Sequence, residues 1–512
     1  MDITEFARAQ VEHHEAELRT LYEQRAAAVG RKRVADDELA RATAGSRAAA
    51  LDLEEVDRML AARIDLISHQ NASLAPIHRL SQDILLLIFS ATLPEPDLPS
   101  TPGGFDSIPN YTPSSFTVSA VCCGWRRLAL SYPALWTSMH LDLTRSLKNL
   151  TEFSQTLLHR SGNLALCVRI FTHSAVDANS TRELENVLPK ILSRSRWVQL
   201  LDPNVRARVS DPGGGPRRVP AQYSILKFFQ LPTPRLQRLL IVGHHVLVDS
   251  AQLLPFTPVL QELRLFAYPL RNIPVAALRT LVDIRLSRDP EQEPTSMSFI
   301  NAAAPRLRHL EIKGCLTRVA GPSPVTAPFV SLEVLCLDTW DRLSQFSSES
   351  LPAVTRLEIR FWTLDHVETI RVPSMPSLRA FRATVVSTWD GVIPVLGQLP
   401  QVETLTVSVS TLPSSAHTRP TSVLWRDWAV RGNLAILPRL HTLVLENVEF
   451  KEGDEVAHLF DFLEARAALE RDVPTAPVVL ERLILRQSGF PPWLVPRLEA
   501  CVASVVIQTP NR

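Results

Sequence analysis

A short apolar pattern, Leu-x-x-Leu-x-Leu with conservative replacements, returns ten times along this chain and narrows the folds open to it. It starts at Leu236, Leu260, Leu281, Leu307, Leu332, Val354, Leu378, Val402, Leu440 and Leu480, at intervals of 24, 21, 26, 25, 22, 24, 24, 38 and 40 residues. Seven of the ten have proline two residues before the first position: Pro234, Pro258, Pro305, Pro352, Pro376, Pro400 and Pro438. Proline makes up 39 of 512 residues, so chance would supply roughly one such coincidence. The last two apolar positions stand two apart, as on one face of a strand. A unit of this size buries too little alone, so neighbours must stack their strands into a parallel sheet with the return segments packed behind.

A period in this range resembles the leucine-rich repeats. Those repeats usually place Asn or Cys eight residues after the first leucine. Here the positions hold His244, Tyr268, Asp289, Cys315, Trp340, Trp362, Val386, Ser410, Val448 and Ser488, and only Cys315 matches. The resemblance therefore implies an irregular solenoid over 141–512 whose turns are satisfied in another way. The two long intervals are expected to hold full helices, such as 454–471, and 493–506 to cap the end. Upstream, 163–170 and 197–201 read as early strands with a helix at 181–192 between them. The triple glycine in 209–220 lacks the lysine and the strand–helix setting of a phosphate loop. Residues between the buried strand positions face outward, among them Arg264, Glu311, Glu358, Arg360, Arg382, Glu446, Arg482 and Arg486. Such mixed charge suits a protein or peptide target; the alternative is an ordinary solvated strand face.

A second module lies ahead of the array. Ile84 to Phe89 are six consecutive apolar residues on what should be a short helix, with Ser81 as N-cap and Asp83 in the first turn. A helix apolar all round must be covered on more than one side. Six such side chains are worth roughly 1.5–3 kcal/mol each when buried, so an internal neighbour or a partner protein is implied. Residues 94–115 hold six prolines and read as a flexible insertion. Beyond it, Val118, Val121, Cys122, Trp125 and Ala129 fall on one face of a helix that ends at Tyr132-Pro133, and Leu135-Trp136 follow as a large apolar pair.

These residues resemble an F-box. The family's anchors appear as Leu80, Asp83, Ile84 and Leu85, then Ile88-Phe89, then Val121-Cys122 and Trp125, and last Leu135-Trp136. Ser81 stands where the family usually has proline, Asp83 replaces glutamate, and the insertion separates the first helix from the rest. With the heptad helix before it and the leucine-rich tail after it, the whole resembles the F-box proteins of fungi. The resemblance implies a small all-α domain over 73–140 that docks on a Skp-family linker subunit, and through it on a cullin ubiquitin ligase. Leu80, Ile84, Leu85, Ile88, Phe89, Val121, Cys122, Trp125, Leu135 and Trp136 are then the candidate partner-binding residues, and the tail captures an unknown protein target. The alternative is a non-catalytic interaction scaffold with no role in ubiquitination.

Residues 2–70 contain no proline and are rich in helix formers. One 3,4 register places Val11, Leu18, Leu21, Ala28, Ala35, Leu39, Ala42, Ala49, Leu53, Val56, Leu60 and Ile67 on a single seam, interrupted by His14, Arg25, Lys32, Ser46 and Arg63. Gly30, Gly45 and the central alanines leave two forms open for 1–72, one long helix or a helical hairpin. Self-association through this segment is a further possibility. The run RKRV at 31–34 reads as an exposed charge cluster rather than a nuclear signal.

The expected class is thus α/β: a long helix or hairpin, a small helical domain, and a solenoid with a parallel sheet. Charge argues against two partner classes. Lysine plus arginine come to 54 against 53 acids, a net charge of +1, and neither nucleic acid nor a membrane surface is favoured by such a balance. No apolar run reaches the length of a membrane span and no signal-like segment opens the sequence, so a cytoplasmic or nuclear location is expected. The sequons at Asn71, Asn110, Asn149 and Asn179 carry little weight in that setting. No metal, cofactor or catalytic role is expected. The six cysteines (Cys122, Cys123, Cys167, Cys315, Cys336, Cys501) form no CxxC pair. His13-His14-Glu15 lacks the second histidine of a zinc-protease helix, and His244-His245 are adjacent in sequence.

Overall fold

The computed structural model describes residues 3–74, 77, 80–93, 114–143, 150–172, 178–201, 225–242, 253–266, 273–287, 297–313, 325–361, 372–385, 392–409, 422–429, 436–448, 450, 454–472, 480–488 and 490–508. The chain divides into two compact units, Met1–Leu87 and Ile88–Arg512.

The first unit is dominated by α1 (Ile3–Leu74), one unbroken helix. Of the two forms left open, the structure holds the single helix, and Gly30 and Gly45 are both accommodated within it. Each glycine costs roughly 1 kcal/mol relative to alanine, but strong helix formers on both sides carry the backbone through. A short helix, α2 (Gln82–Ala91), follows. Ser81 caps it as expected: its Oγ accepts from the Ile84 N–H at 3.4 Å.

The second unit continues with α3 (Ser114–Ala120) and α4 (Cys123–Ser131), then a 3₁₀ turn at Pro133–Trp136. The expectation of one helix through Val118–Ala129 is corrected here. Cys122 has extended backbone (φ −158°, ψ 169°) and breaks the helix, and its Sγ caps α4 by accepting from the Trp125 N–H at 3.4 Å. Tyr132-Pro133 closes α4 as the sequence suggests. Of the insertion expected at 94–115, Ser114 and Ser115 belong to α3 instead, while 94–113 and the glycine loop at 209–220 lie outside the described residues.

Among the described residues, the rest is built on one open sheet of fourteen parallel strands whose spatial order follows the sequence, β1 to β14. They are β1 (Ser138–Asp142), β2 (Leu166–Phe171), β3 (Ser195–Leu201), β4 (Arg238–Val242), β5 (Glu262–Phe266), β6 (Asp283–Ser287), β7 (His309–Lys313), β8 (Val334–Leu337), β9 (Arg356–Phe361), β10 (Ala380–Val385), β11 (Thr404–Val409), β12 (Thr442–Glu446), β13 (Arg482–Arg486) and β14 (Ser504–Gln508). Helices α5 (Leu150–Arg160) and α6 (Ala178–Arg194) return the chain between the first three strands. Later connections contain α7 (Val275–Leu278), α8 (Val392–Leu396), α9 (Ser422–Ala429), α10 (Asp454–Asp472) and α11 (Val495–Cys501). The two long intervals thus contain α9 and α10, full helices as their length requires.

Each of the ten repeats places its last two apolar residues on a strand, β4 to β13. The register aligns them in rows: Leu239, Leu263, Ile284, Leu310, Leu335, Leu357, Phe381, Leu405, Leu443 and Leu483 form one continuous buried line. The first residue of every repeat is buried too. A parallel sheet covered on one face by its own connections needs such rows.

The proline period has a local cause. Thr233, Pro234, Arg235 and Leu236 make a turn in which the Leu236 N–H donates to the Thr233 carbonyl at 3.1 Å. The same bond closes at Leu260 on Thr257 (3.3 Å), Leu378 on Met375 (3.0 Å), Val402 on Leu399 (3.2 Å) and Leu440 on Leu437 (3.1 Å). Proline is the second residue of each of these turns, where its fixed φ is already correct. These turns bring each connection back onto the sheet.

The segment expected to cap the end, 493–506, holds the end of a 3₁₀ turn (Pro492–Leu494), α11 and the start of β14, where Val502, Val505 and Ile507 repeat the three-position pattern. At the other end, Trp136, Met139 and Leu141 have the same spacing, so β1 lies across the boundary expected near residue 140. Among the described residues, no helix is long and apolar enough to cross a membrane.

Candidate interaction surfaces

The helical segment ahead of the sheet separates its anchors into two kinds. Phe89 is buried with its ring 4.8 Å from that of Trp125. Trp136 is fully buried, donates from Nε1 to the Ala129 carbonyl at 2.8 Å, meets Phe116 edge-on at 5.3 Å and lies under the Arg160 guanidinium at 4.4 Å. Leu85 and Leu135 are buried as well, and Leu80, Cys122 and Trp125 are half-buried. Of the ten candidate partner-binding residues, Leu85, Phe89, Leu135 and Trp136 are therefore interior packing, because their side chains present almost no area to an outside molecule.

The others differ. On α2, Ile84 is 45% exposed, Leu87 70% and Ile88 37%. They stand at i, i+3 and i+4, so they form one stripe along the helix, opposite the buried pair Leu85 and Phe89. Val121, at the break between α3 and α4, is 58% exposed, and Leu130 on α4 is exposed too. Leu87 belonged to the apolar run but not to the ten candidate contacts, and Leu130 was not singled out from the sequence. The 100° step of the helix would have placed Leu87 on the stripe once Leu85 and Phe89 were assigned to the core.

The second surface is the outward face of the sheet, where the alternate strand residues project. All eight charged residues expected there have that parity. Arg264, Glu311 and Glu446 are buried, Glu358, Arg360, Arg382 and Arg486 half-buried, and Arg482 exposed. They belong to a longer network. Glu262 forms an ion pair with Arg264 at 2.6 Å and lies 3.3 Å from Arg238. Asp283 holds Arg285 through two bonds of 3.1 Å, and Arg285 approaches Glu311 at 3.7 Å, which also pairs with Lys313. Glu358 lies 3.8 Å from Arg382 and from Arg356. Glu446 accepts from Arg382 at 2.5 Å and Arg486 at 2.8 Å, and Arg486 donates to Gln508 at 2.8 Å.

Among the described strands, this face carries Arg169, Arg238, Arg264, Arg285, Lys313, Arg356, Arg360, Arg382, Arg482 and Arg486 against Asp142, Glu262, Asp283, Glu311, Glu358 and Glu446. It is basic on balance in a chain of net charge +1. His309 sits 3.5 Å from Asp283, yet burial outweighs that carboxylate and holds its pKa below the ordinary value. Burial, with Glu358 and Glu311 beside it, pushes the Cys336 thiol up to about 12, so it is protonated and unreactive at neutral pH. One part of the face is apolar: Trp197, Leu201, Leu240 and Val242 are buried together, with Cys167, Phe171 and Phe266 against them. That cluster was not anticipated, although Arg238-Leu-Leu-Ile-Val242 already reads as apolar on both faces.

No family model matches the chain, and no curated protein is significantly similar to it.

Proposed function

We propose that this chain is a substrate receptor of the F-box type, docking through its short helical segment on a Skp-family linker subunit of a cullin ubiquitin ligase and presenting a protein target on a leucine-rich-repeat-like sheet. The observation that carries this reading is the stripe of Ile84, Leu87 and Ile88 on α2. A ten-residue helix that buries Leu85 and Phe89 on one side and leaves three large aliphatic side chains exposed on the other has an unfilled apolar face. The three residues are about half exposed on average, so covering them is worth roughly 2–5 kcal/mol, enough for the centre of a protein interface. Phe89, Trp125 and Trp136 stand where the F-box resemblance has its anchors, and they hold the helices on which the contacts would be displayed. Catalysis then resides in other subunits, and this chain supplies proximity. The basic excess on the outward face favours a target segment bearing carboxylates.

The test is the affinity of the full chain for a purified Skp-family linker subunit, compared with Leu87→Asp/Ile88→Asp. Both positions are exposed, so the variant keeps its fold, verified by circular dichroism. A loss of at least about thirtyfold is expected. Equal binding by the two proteins, or no binding by the wild type, overturns the reading. Linker binding together with target turnover that ignores cullin inhibition would make the chain a scaffold.

A further inference from the structure

In α1 every described side chain from Thr4 to Ile67 is exposed, including Leu18, Leu21, Leu53, Val56 and Leu60 on the heptad seam. A helix of 72 residues is about 110 Å long, and an apolar stripe of that length is unfavourable in water. We propose that the stripe is covered by α1 of a second copy of this chain, running antiparallel and centred near residue 37.

The seam itself selects that occupant. Through its middle, the a positions hold Arg25, Lys32, Leu39 and Ser46, and the d positions hold Ala28, Ala35, Ala42 and Ala49. In a parallel pair, a meets a and d meets d. That would stack Arg25 on Arg25 and Lys32 on Lys32, and leave four alanine layers too thin to fill the space between the helices. In an antiparallel pair, a meets d. Arg25 then faces Ala49, Lys32 faces Ala42, Leu39 faces Ala35 and Ser46 faces Ala28, so the longest side chains lie over the smallest. Toward the ends, Leu18 meets Val56, and Leu53 meets Leu21. The same stretch supplies both the long residues and the small ones that receive them, which an unrelated helix has no reason to match. Against this, Asp36 faces Asp36 and Glu38 faces Glu38 near the centre. Those flanking positions are exposed, where like-charge pairs cost only a few tenths of a kcal/mol, less than stacking cations within the seam.

The test uses the full chain. Sedimentation velocity is expected to show a dimer. Leu21→Cys and Leu53→Cys variants, mixed and mildly oxidised, should yield a Cys–Cys link joining positions 21 and 53 of different copies by peptide mapping. Neither variant alone should link to itself at the new position. Because cysteine at the seam could weaken the pair, Ala42→Glu/Ala49→Glu gives an independent reading. It sets glutamates opposite Lys32 and Arg25 only in the antiparallel arrangement, and should tighten the dimer at least about threefold. A monomer, links of 21 to 21 or 53 to 53, or a weaker dimer in the glutamate variant overturns the proposal.

Discussion

Replacing Trp136 with alanine separates an anchor that holds the fold from a residue that meets a partner. The indole is fully buried, packed edge-on against Phe116 and stacked beneath Arg160. Truncating such a tryptophan costs about 3–5 kcal/mol through lost transfer energy and the cavity left behind. The Nε1 bond disappears without leaving an orphan, because the Ala129 carbonyl still accepts from the Tyr132 N–H at 3.3 Å. Loss of the Arg160 contact adds up to about 1 kcal/mol. The expected destabilisation is therefore about 3–6 kcal/mol, a large share of a typical folding free energy. Urea unfolding followed by far-ultraviolet circular dichroism measures it, with Leu87→Ala as control, expected to stay within about 0.5 kcal/mol because that side chain is mostly exposed. If Trp136→Ala cost less than about 1 kcal/mol, the indole would not be holding α4 and β1 together, and the assignment of the aromatic anchors to the interior would fail.

Three further outcomes follow from the same geometry. His140 is held at a pKa of about 4 by burial and by Arg169, from an ordinary 6.5. Its neutral form is favoured in the folded chain, so stability is full above pH 6.5 and falls as pH drops toward 4, by about 3 kcal/mol at most; His140→Gln should flatten that part of the pH–stability curve. Glu446→Gln removes the carboxylate shared by Arg382 and Arg486; because both arginines are partly solvated, a loss of about 1–2 kcal/mol in urea unfolding is expected rather than the full cost of breaking a buried pair. Cys336 should resist iodoacetamide at pH 8 in the folded chain and react once denaturant is added, as peptide mapping would show, since its thiol is raised to about 12.

The sheet was legible because two independent constraints recur together. The apolar spacing marks the strand, and the proline marks the turn whose bond closes on the first apolar residue, as at Thr233–Leu236. The repeats at Leu281, Leu332 and Leu480 lack the proline and were found from the spacing alone, but the two outermost strands were missed. Val502-x-x-Val505-x-Ile507 has no proline before it and follows a helix directly, so β14 was not separated from the segment expected to cap the end. Trp136 starts the same pattern for β1, but it also belongs to the F-box-like segment, and one residue serving two motifs hides the boundary between them. The break between α3 and α4 was invisible to periodicity, since Val118, Val121, Cys122 and Trp125 keep helical spacing across it. Only the extended backbone of Cys122 reveals the cap, and a thiol is not among the usual capping groups. For the interaction surfaces, strand parity indicated which charged residues project outward, but pairing across strands depends on register. Arg382 reaches Glu446 past an intervening strand, a contact that no local pattern encodes. On α2, a run apolar on all sides gives no clue to which side is inward until Phe89 meets Trp125.

Hydroxyl-radical footprinting of the full chain with and without a Skp-family linker subunit tests the central claim most directly. Oxidation at Ile84, Leu87 and Ile88 should fall when the linker is added, while Phe89 and Trp136 stay unreactive in both samples. A complex that forms with the three aliphatic residues still fully reactive, or no complex at all, would contradict the assignment of this stripe as the docking face.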